Sequence, residues 1–255
     1  MKQAKLDAFW HELFGPDHEP VRVFKAGAKH RNPVGKFPTD RYAAGGVIRT
    51  RSPLMSDGLK HLDVDPRVIW LAPYPFQISY LSVDEHGEIF SRTHVPDVGI
   101  RFRNGTVGFV DYVPFSCQDE RSRQREREIL LHLAENFNAG YAVHDERCIY
   151  PEPIFRNVCV LREHRSLPID HECIREIGRE ILEASLPMTI GELTRSVSVN
   201  AFVEKWEDEP DSAYRVDKDA NPVFTACMQL AITGKVNLDL TRVFSPSTVV
   251  SKVWE

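Results

Sequence analysis

The sequence predicts an α/β chain, with a mixed sheet flanked by helices followed by a smaller, mainly helical domain. Three observations lead there. Runs rich in β-branched and aromatic residues at 68–71, 76–83 and 107–113 alternate with stretches of helical periodicity. Two hairpin signals, Asp84-Glu85-His86-Gly87 and Asn104-Gly105, join strands directly, so part of the sheet is antiparallel. Beyond residue 150 the strand-like runs give way to amphipathic helices, which divides the chain into expected domains at 1–150 and 151–255. A length of 255 residues is enough to give each its own core.

Taken in order, Ala4 to Leu13 carries Leu6, Phe9, Trp10 and Leu13 at helical spacing, and Gly15-Pro16 ends that helix. Residues 21–52 are rich in Gly, Pro and Arg with little periodicity, which predicts loops with short strands. Ser52 to Leu62 reads as a helix with Ser52 as N-cap and Pro53 at its first position. Gly58 within it costs about 1 kcal/mol relative to Ala. Val98 to Arg103 and Thr106 to Val113 form two strands folded at Asn104-Gly105. Ser116, with Asp119 three residues on, reads as a capping box that opens a long helix buried through Ile129, Leu130, Leu133 and Phe137. Asn138-Ala139-Gly140 stops it before a strand at Tyr141 to His144.

In the second half, residues 169–186 form a helix with Ile174, Ile177, Ile181 and Leu182 on one face. Thr189 to Val197 and Pro222 to Gly234 give two further helices, and Lys235 to Leu240 an extended segment. Three helices and a small hairpin are the outline of a winged-helix unit.

A hydrophobic share of 42% and a charged share of 27% fit a soluble globular protein, and no apolar run reaches the roughly 18 residues that span a bilayer. Met1 to Phe14 lacks the apolar centre and small-residue cleavage site of a signal peptide. Five cysteines, odd in number and irregularly spaced, fit a reduced, cytoplasmic compartment. A net charge of −5 argues against a free-standing, tight nucleic-acid binder. Between Val21 and Arg51, however, eight basic residues (Arg22, Lys25, Lys29, Arg31, Lys36, Arg41, Arg49, Arg51) face one acid, Asp40. That stretch either tracks phosphates or is a solvated surface balancing acidic segments elsewhere. One such acidic segment, Glu204 to Asp211, fits either a protein-facing surface or a disordered insertion.

Several chemistries are excluded. There is no Gly-x-x-x-x-Gly-Lys-Ser/Thr loop, since Gly35-Lys36 runs into Phe37, and no Gly-x-Ser-x-Gly elbow. His171-x-Cys173 and His144 with Cys148 lack the paired Cys-x-x-Cys that would make a zinc site. The run Arg121 to Arg127, mixed with Asp119, Glu120, Glu126 and Glu128, reads as a solvated helix face with i,i+4 pairs. What remains is a pair of carboxylates. Asp97 and Asp111 flank the Asn104-Gly105 turn, so the hairpin sets them across from each other, the start of a site for a hard divalent cation.

The surrounding motifs extend this reading. Gly35-Lys36-Phe37-Pro38-Thr39 looks like a glycine-basic-Phe-Pro-Ser motif. Leu62 to Val68, with Asp65-Pro66, is similar to a leucine-rich helix followed by Asp-Pro-x-Val. Pro75 to Tyr80 resembles a Gln-Pro-x-x-Ile-x-Tyr strand with Tyr74 in place of the Gln. His94-Val95-Pro96-Asp97 and Val110-Asp111-Tyr112-Val113-Pro114 stand where Pro-Asp and Val-Glu-Val-Lys-Pro would. Ala139-Gly140-Tyr141, Arg156 to Leu161 and Gly234 to Leu240 follow in the same order. Together, from Val21 to the C-terminus, they resemble the TnsA-like family, the endonuclease subunits of heteromeric transposases. The resemblance implies a restriction-endonuclease-like core, then a winged-helix domain, acting on transposon-end DNA with a transposase and an ATPase regulator. It makes Asp97 a metal-binding aspartate and Asp111 the second-strand carboxylate, both around Mg²⁺. It places the family's helix glutamate on Met55 and its lysine on Val113, and neither residue can do that work.

The leading expectation is therefore a degenerate endonuclease subunit that binds DNA and partner proteins without cutting, with Mg²⁺ weakly held or absent. Lys25, Lys29, Arg31, Lys36, Arg41, Arg49 and Arg51 are its expected DNA contacts. The alternatives are an active Mg²⁺-dependent nuclease with a relocated lysine and glutamate, for which Lys60, Asp57 and Glu88 are the nearest candidates, and a protein-interaction scaffold that does not bind DNA.

Overall fold

In the computed structural model, which describes residues 3–23, 35–83, 86–166, 172–197 and 221–253, the chain divides into two units, Met1–Pro151 and Glu152–Glu255. The first unit opens with α1 (Gln3–Leu13), a short antiparallel hairpin of β1 (Gly35–Pro38) and β2 (Val47–Thr50), and α2 (Pro53–Val64). As its sequence predicts, α2 is capped by Ser52, whose hydroxyl accepts the Met55 N–H at 3.2 Å. β3 (Val68–Pro73) follows, then a separate hairpin of β4 (Ile78–Val83) and β5 (Ile89–His94), then β6 (Val98–Phe102) and β7 (Val107–Tyr112). α3 (Glu120–Phe137), β8 (Ala139–His144) and the single turn α4 (Glu146–Ile149) complete the unit.

Among the described residues the main sheet has four strands in the order β3-β6-β7-β8. β6 is antiparallel to both β3 and β7, and β8 is parallel to β7. A parallel pair cannot be joined by a tight turn, and α3 supplies the crossover. Side chains alternate across the sheet. On one face Ala72, Val107, Phe109 and Ala139 form a buried cluster with Leu6, Trp10 and Leu13 of α1 and Ile129 and Leu133 of α3. On the other, α2 lies so close to β7 that a Cβ on Gly58 would stand 2.0 Å from Tyr112 Cε1.

The β6–β7 turn sets the register of the site. Phe102 N–H donates to Thr106 O at 2.9 Å, and Gly105 takes a positive φ of +84° that disfavours any side chain. Val98 pairs with Val110, so Asp97, one residue before β6, lies opposite Asp111.

Some expectations for this unit need correction. α3 is capped by Asp119 rather than Ser116: the Asp119 carboxylate accepts the Ser122 N–H at 2.8 Å, while Phe115–Cys117 forms a separate 3₁₀ turn. A carboxylate next to the orphan N–H groups of the first turn caps a helix through charge as well as geometry. Leu130, expected on the buried face, is exposed, because the face centred on Ile129 and Leu133 is narrow.

The second unit comprises α5 (Ile154–Glu163), α6 (Glu172–Glu183), β9 (Met188–Thr189), α7 (Ile190–Ser196), α8 (Pro222–Ile232), β10 (Val236–Leu238) and β11 (Val249–Lys252). The strands form an antiparallel sheet in the order β10-β11-β9. Ile177, Ile181, Leu193, Val223 and Val250 are buried, whereas Leu182 is exposed. α5 spans the Arg156 to Leu161 motif, for which the sequence gives no helix expectation. Its fully buried Asn157 ties the helix to a distant segment of the chain. The Asn157 Nδ2 donates to Leu240 O and Arg242 O, and Oδ1 accepts the Phe244 N–H. The acidic stretch Glu204 to Asp211 lies outside the described residues. No helix among the described residues is long and apolar enough to cross a membrane.

Candidate functional site

Three local features bring chemistry to one end of the main sheet. The segment after β5 delivers Asp97 to the start of β6, the hairpin register puts Asp111 beside it, and the residue before the Ser52 cap, Arg51, reaches back over both strands. Asp97 is 2% exposed and Asp111 6%. The Asp97 N–H donates to Asp111 Oδ1 at 2.9 Å. Arg51 grips Asp97 with a fork, Nε donating to Oδ1 at 2.6 Å and Nη2 to Oδ2 at 2.7 Å. Nη2 also donates to Tyr112 O at 2.8 Å, and the Tyr112 N–H donates to Asp97 Oδ2 at 2.9 Å.

Asp111 has its own ring of donors. Its Oδ2 accepts from the Tyr141 hydroxyl at 2.5 Å and lies 2.7 Å from His94 Nε2. Arg125 Nη2 lies 2.7 Å from the other ring nitrogen, His94 Nδ1. Arginine only donates, so Nδ1 accepts and the ring proton sits on Nε2, facing Asp111. Arg125 through His94 on one side and Tyr141 on the other thus converge on the buried Asp111 carboxylate.

The charges follow from these contacts. Burial raises the Asp97 pKa; Arg51 opposes that and the Asp111 charge reinforces it, leaving the carboxyl above its ordinary value. Burial also opposes charge on Asp111, but His94, Tyr141 and the Asp97 N–H outweigh it and hold that carboxyl low. Burial, then the Asp111 charge, keep the Tyr141 phenol protonated well above its usual range, as its donor role requires. For Arg51, burial disfavours the charge and the Asp97 hydrogen bonds more than restore it. Tyr74 packs beside this group with a positive φ of 44°, a strained conformation for a bulky residue. Its backbone N–H donates to Asp97 O at 2.9 Å and its hydroxyl contacts Met55 Sδ at 3.3 Å.

A cleft of about 320 Å³ opens over the carboxylate pair, lined also by Arg22, Arg51, His94, Val113 and Arg125. Met55 is fully buried against Tyr74, a core residue rather than a ligand. Val113 lines the cleft and its N–H joins His144 O, so β7 continues past Asp111 without adding a cation. Lys60 pairs with Asp57 at 2.7 Å, and neither they nor Glu88 lines this cleft; the cation at Asp97 is Arg51.

Of the expected DNA contacts, Lys25, Lys29 and Arg31 lie outside the described residues. Lys36 and Arg49 face each other across the β1–β2 hairpin and are exposed. Arg41 departs from a phosphate-facing surface role, and Arg51 faces the cleft from its place on Asp97. Arg41 turns inward and donates to Asp65 O and Val68 O, holding the α2–β3 junction, and Arg51 belongs to the carboxylate pair. Sequence reasoning missed His94, Tyr141 and Arg125 as site residues. His94 stands in the His-Val-Pro-Asp motif, but nothing local distinguishes Arg125 from the other arginines of α3.

These side chains do not fit Mg²⁺ as arranged. A hard cation needs several free oxygen ligands, whereas the Asp97 oxygens face a guanidinium and those of Asp111 take an N–H, a hydroxyl and an imidazole. Among the described residues no group of three or more His, Cys, Asp or Glu side chains is placed to hold a metal ion. What the arrangement can do is present positive charge to an anion. No protein-family model and no curated protein matches this chain.

Proposed function

We propose that this protein is a DNA-binding relative of TnsA-like endonuclease subunits that acts at transposon ends without cutting, alongside a transposase and an ATPase regulator. In this reading the first unit is a restriction-endonuclease-like core and the second a winged helix. The order of the motifs, the mixed sheet with carboxylates across the β6–β7 hairpin, and the three-stranded sheet beside α6, α7 and α8 support it. The observation that carries the non-cutting part is the Arg51 fork on Asp97, which takes the carboxylate edge a metal would use.

The same fork, with Arg125 nearby, favours one competing reading, a nuclease whose missing lysine is replaced by arginine. Both are tested by anisotropy of labelled duplex DNA carrying candidate ends, at about 50 and about 200 mM salt, with a cleavage assay in Mg²⁺ or Mn²⁺. The expected result is binding that weakens steeply with salt and no strand scission. Scission abolished by Asp97→Ala supports the nuclease instead. Failure to bind at low salt overturns both and leaves a protein-interaction scaffold.

A further inference from the structure

A guanidinium has five N–H groups in one plane. Arg51 commits Nε to Asp97 and Nη2 to both Asp97 and the Tyr112 carbonyl. Among the described residues, the two N–H groups of Nη1 have no partner, on a side chain that is 32% exposed and lines the cleft. Arg125 commits only Nη2, to His94. Arg22, also on the cleft wall, makes no hydrogen bond or ion pair among the described residues and is exposed.

We propose that this cleft is a metal-independent phosphate site, in which Arg51 holds the place a divalent cation takes between a carboxylate and a phosphoryl oxygen. In metal-dependent phosphoryl chemistry the ion bridges protein carboxylates and the substrate's oxygens. Arg51 has the same two-sided character, with Asp97 along one edge and open donors along the other. Arginine matches phosphate geometry with paired N–H groups and stays charged at any working pH. Arg22 and Arg125 add two further cations from outside the buried pair. Without Arg51 the two carboxylates behind the cleft would repel an anion. With it, the cleft presents three guanidinium groups of the described residues against two carboxylates that already have donors of their own. Val113 then makes sense as an apolar wall, since a lysine there would bring a competing cation to the same carboxylates. The inference takes only the ligand's identity, a nucleic-acid phosphate, from the proposed function; the site's chemistry stands apart from it.

The test uses the full chain and two exposed variants outside the carboxylate pair, Arg22→Ala and Arg125→Ala. Binding of a short duplex is measured in EDTA, with either a 5′-phosphate or a 5′-hydroxyl at its ends, and inorganic phosphate is tested separately by thermal shift. Each variant is expected to weaken duplex binding about tenfold, as the loss of a charge-assisted hydrogen bond does, and to lower the salt slope by about one. EDTA has no effect. Preference for the 5′-phosphate identifies a terminal phosphate as the ligand, and equal binding identifies an internal phosphodiester. Unchanged affinity in both variants, or loss of wild-type binding in EDTA, overturns the phosphate site while leaving DNA binding intact as a separate matter. If the duplex is not bound but phosphate raises the melting temperature of the wild type and of neither variant, the site stands and the DNA reading falls. No response to either ligand overturns both.

Discussion

Removing one partner of a buried ion pair leaves the other charge without compensation, at a cost of roughly 3–5 kcal/mol. Asp97 is such a group, almost fully buried and held by Nε and Nη2 of Arg51. Because Arg51 itself is 32% exposed and water screens part of the interaction, Arg51→Met should destabilise the protein by about 3 kcal/mol, the lower end of that range. Adding Asp97→Asn should recover most of the loss, since the amide carries no charge and its oxygen still accepts the Tyr112 N–H. Denaturant unfolding of the wild type, both single variants and the double variant measures this coupling, and a coupling near zero would show that the fork contributes nothing to stability. The same geometry explains which site residues the sequence reveals. Asp97 and Asp111 are legible because they lie 14 residues apart around an Asn-Gly turn, and a hairpin has a period of two. Arg51 is not, because it reads as one more cation of the basic Val21–Arg51 stretch while its partner is 46 residues away. Tyr141 meets Asp111 only once the α3 crossover has laid β8 beside β7. Arg125 is masked by the alternating charges of α3, any of which reads equally well as an i,i+4 partner.

Among the elements, α2 shows how a local propensity is overruled by packing. Gly58 reads as a weakness in the helix, and Ala there gains about 1 kcal/mol in an isolated helix. In the folded protein that methyl would stand 2.0 Å from the ring of Tyr112, which is fully buried and cannot swing away. Overpacking of this kind costs about 1–3 kcal/mol, and the approach is close enough that we expect Gly58→Ala to be a net loss of about 2 kcal/mol. Circular-dichroism melting checks it: a melting temperature at or above wild type would mean that α2 moves freely off the sheet. Caps and turns are the readable parts of the elements, because each is decided by a few adjacent residues. Ser52-Pro53 and Asn104-Gly105 both act as their sequence implies. Asp119 shows the limit, since Ser116 and Asp119 are both competent caps and the choice depends on the 3₁₀ turn between them. α5 is unreadable for a different reason. Its organising residue, Asn157, is a polar side chain whose partners Leu240, Arg242 and Phe244 lie more than 80 residues on.

For the molecule as a whole, acidification acts through three histidines, His18 buried and His61 and His144 half-buried. Burial is the largest cause lowering the pKa of His18, His61 and His144 from the ordinary value of 6.5. His18 and His61 are each tied to a backbone carbonyl, of Pro73 and Ile149, which opposes the shift without cancelling it. The His61 charge pushes His144 further down. A histidine whose folded pKa lies below its unfolded value binds fewer protons when folded. Its contribution to stability is present above 6.5 and is lost as the pH falls through 6.5 towards the folded value. The three act with the same sign within the first unit, so their losses accumulate. Of the carboxylates near the cleft, Asp97 offsets part of this loss and Asp111 does not. Asp111, held low, loses its contribution only in more acidic solution, while Asp97, held high, acts in the opposite direction. The melting temperature of the first unit should therefore be level above pH 7 and begin to fall as the pH drops through about 6.5. A series of melts from about pH 8 to about pH 5 reads this directly. His144→Phe, which keeps a ring packed against Tyr112 but cannot take up a proton, should flatten part of the fall. A melting temperature that holds level to about pH 5 would show that these histidines take up their protons without opposing the fold.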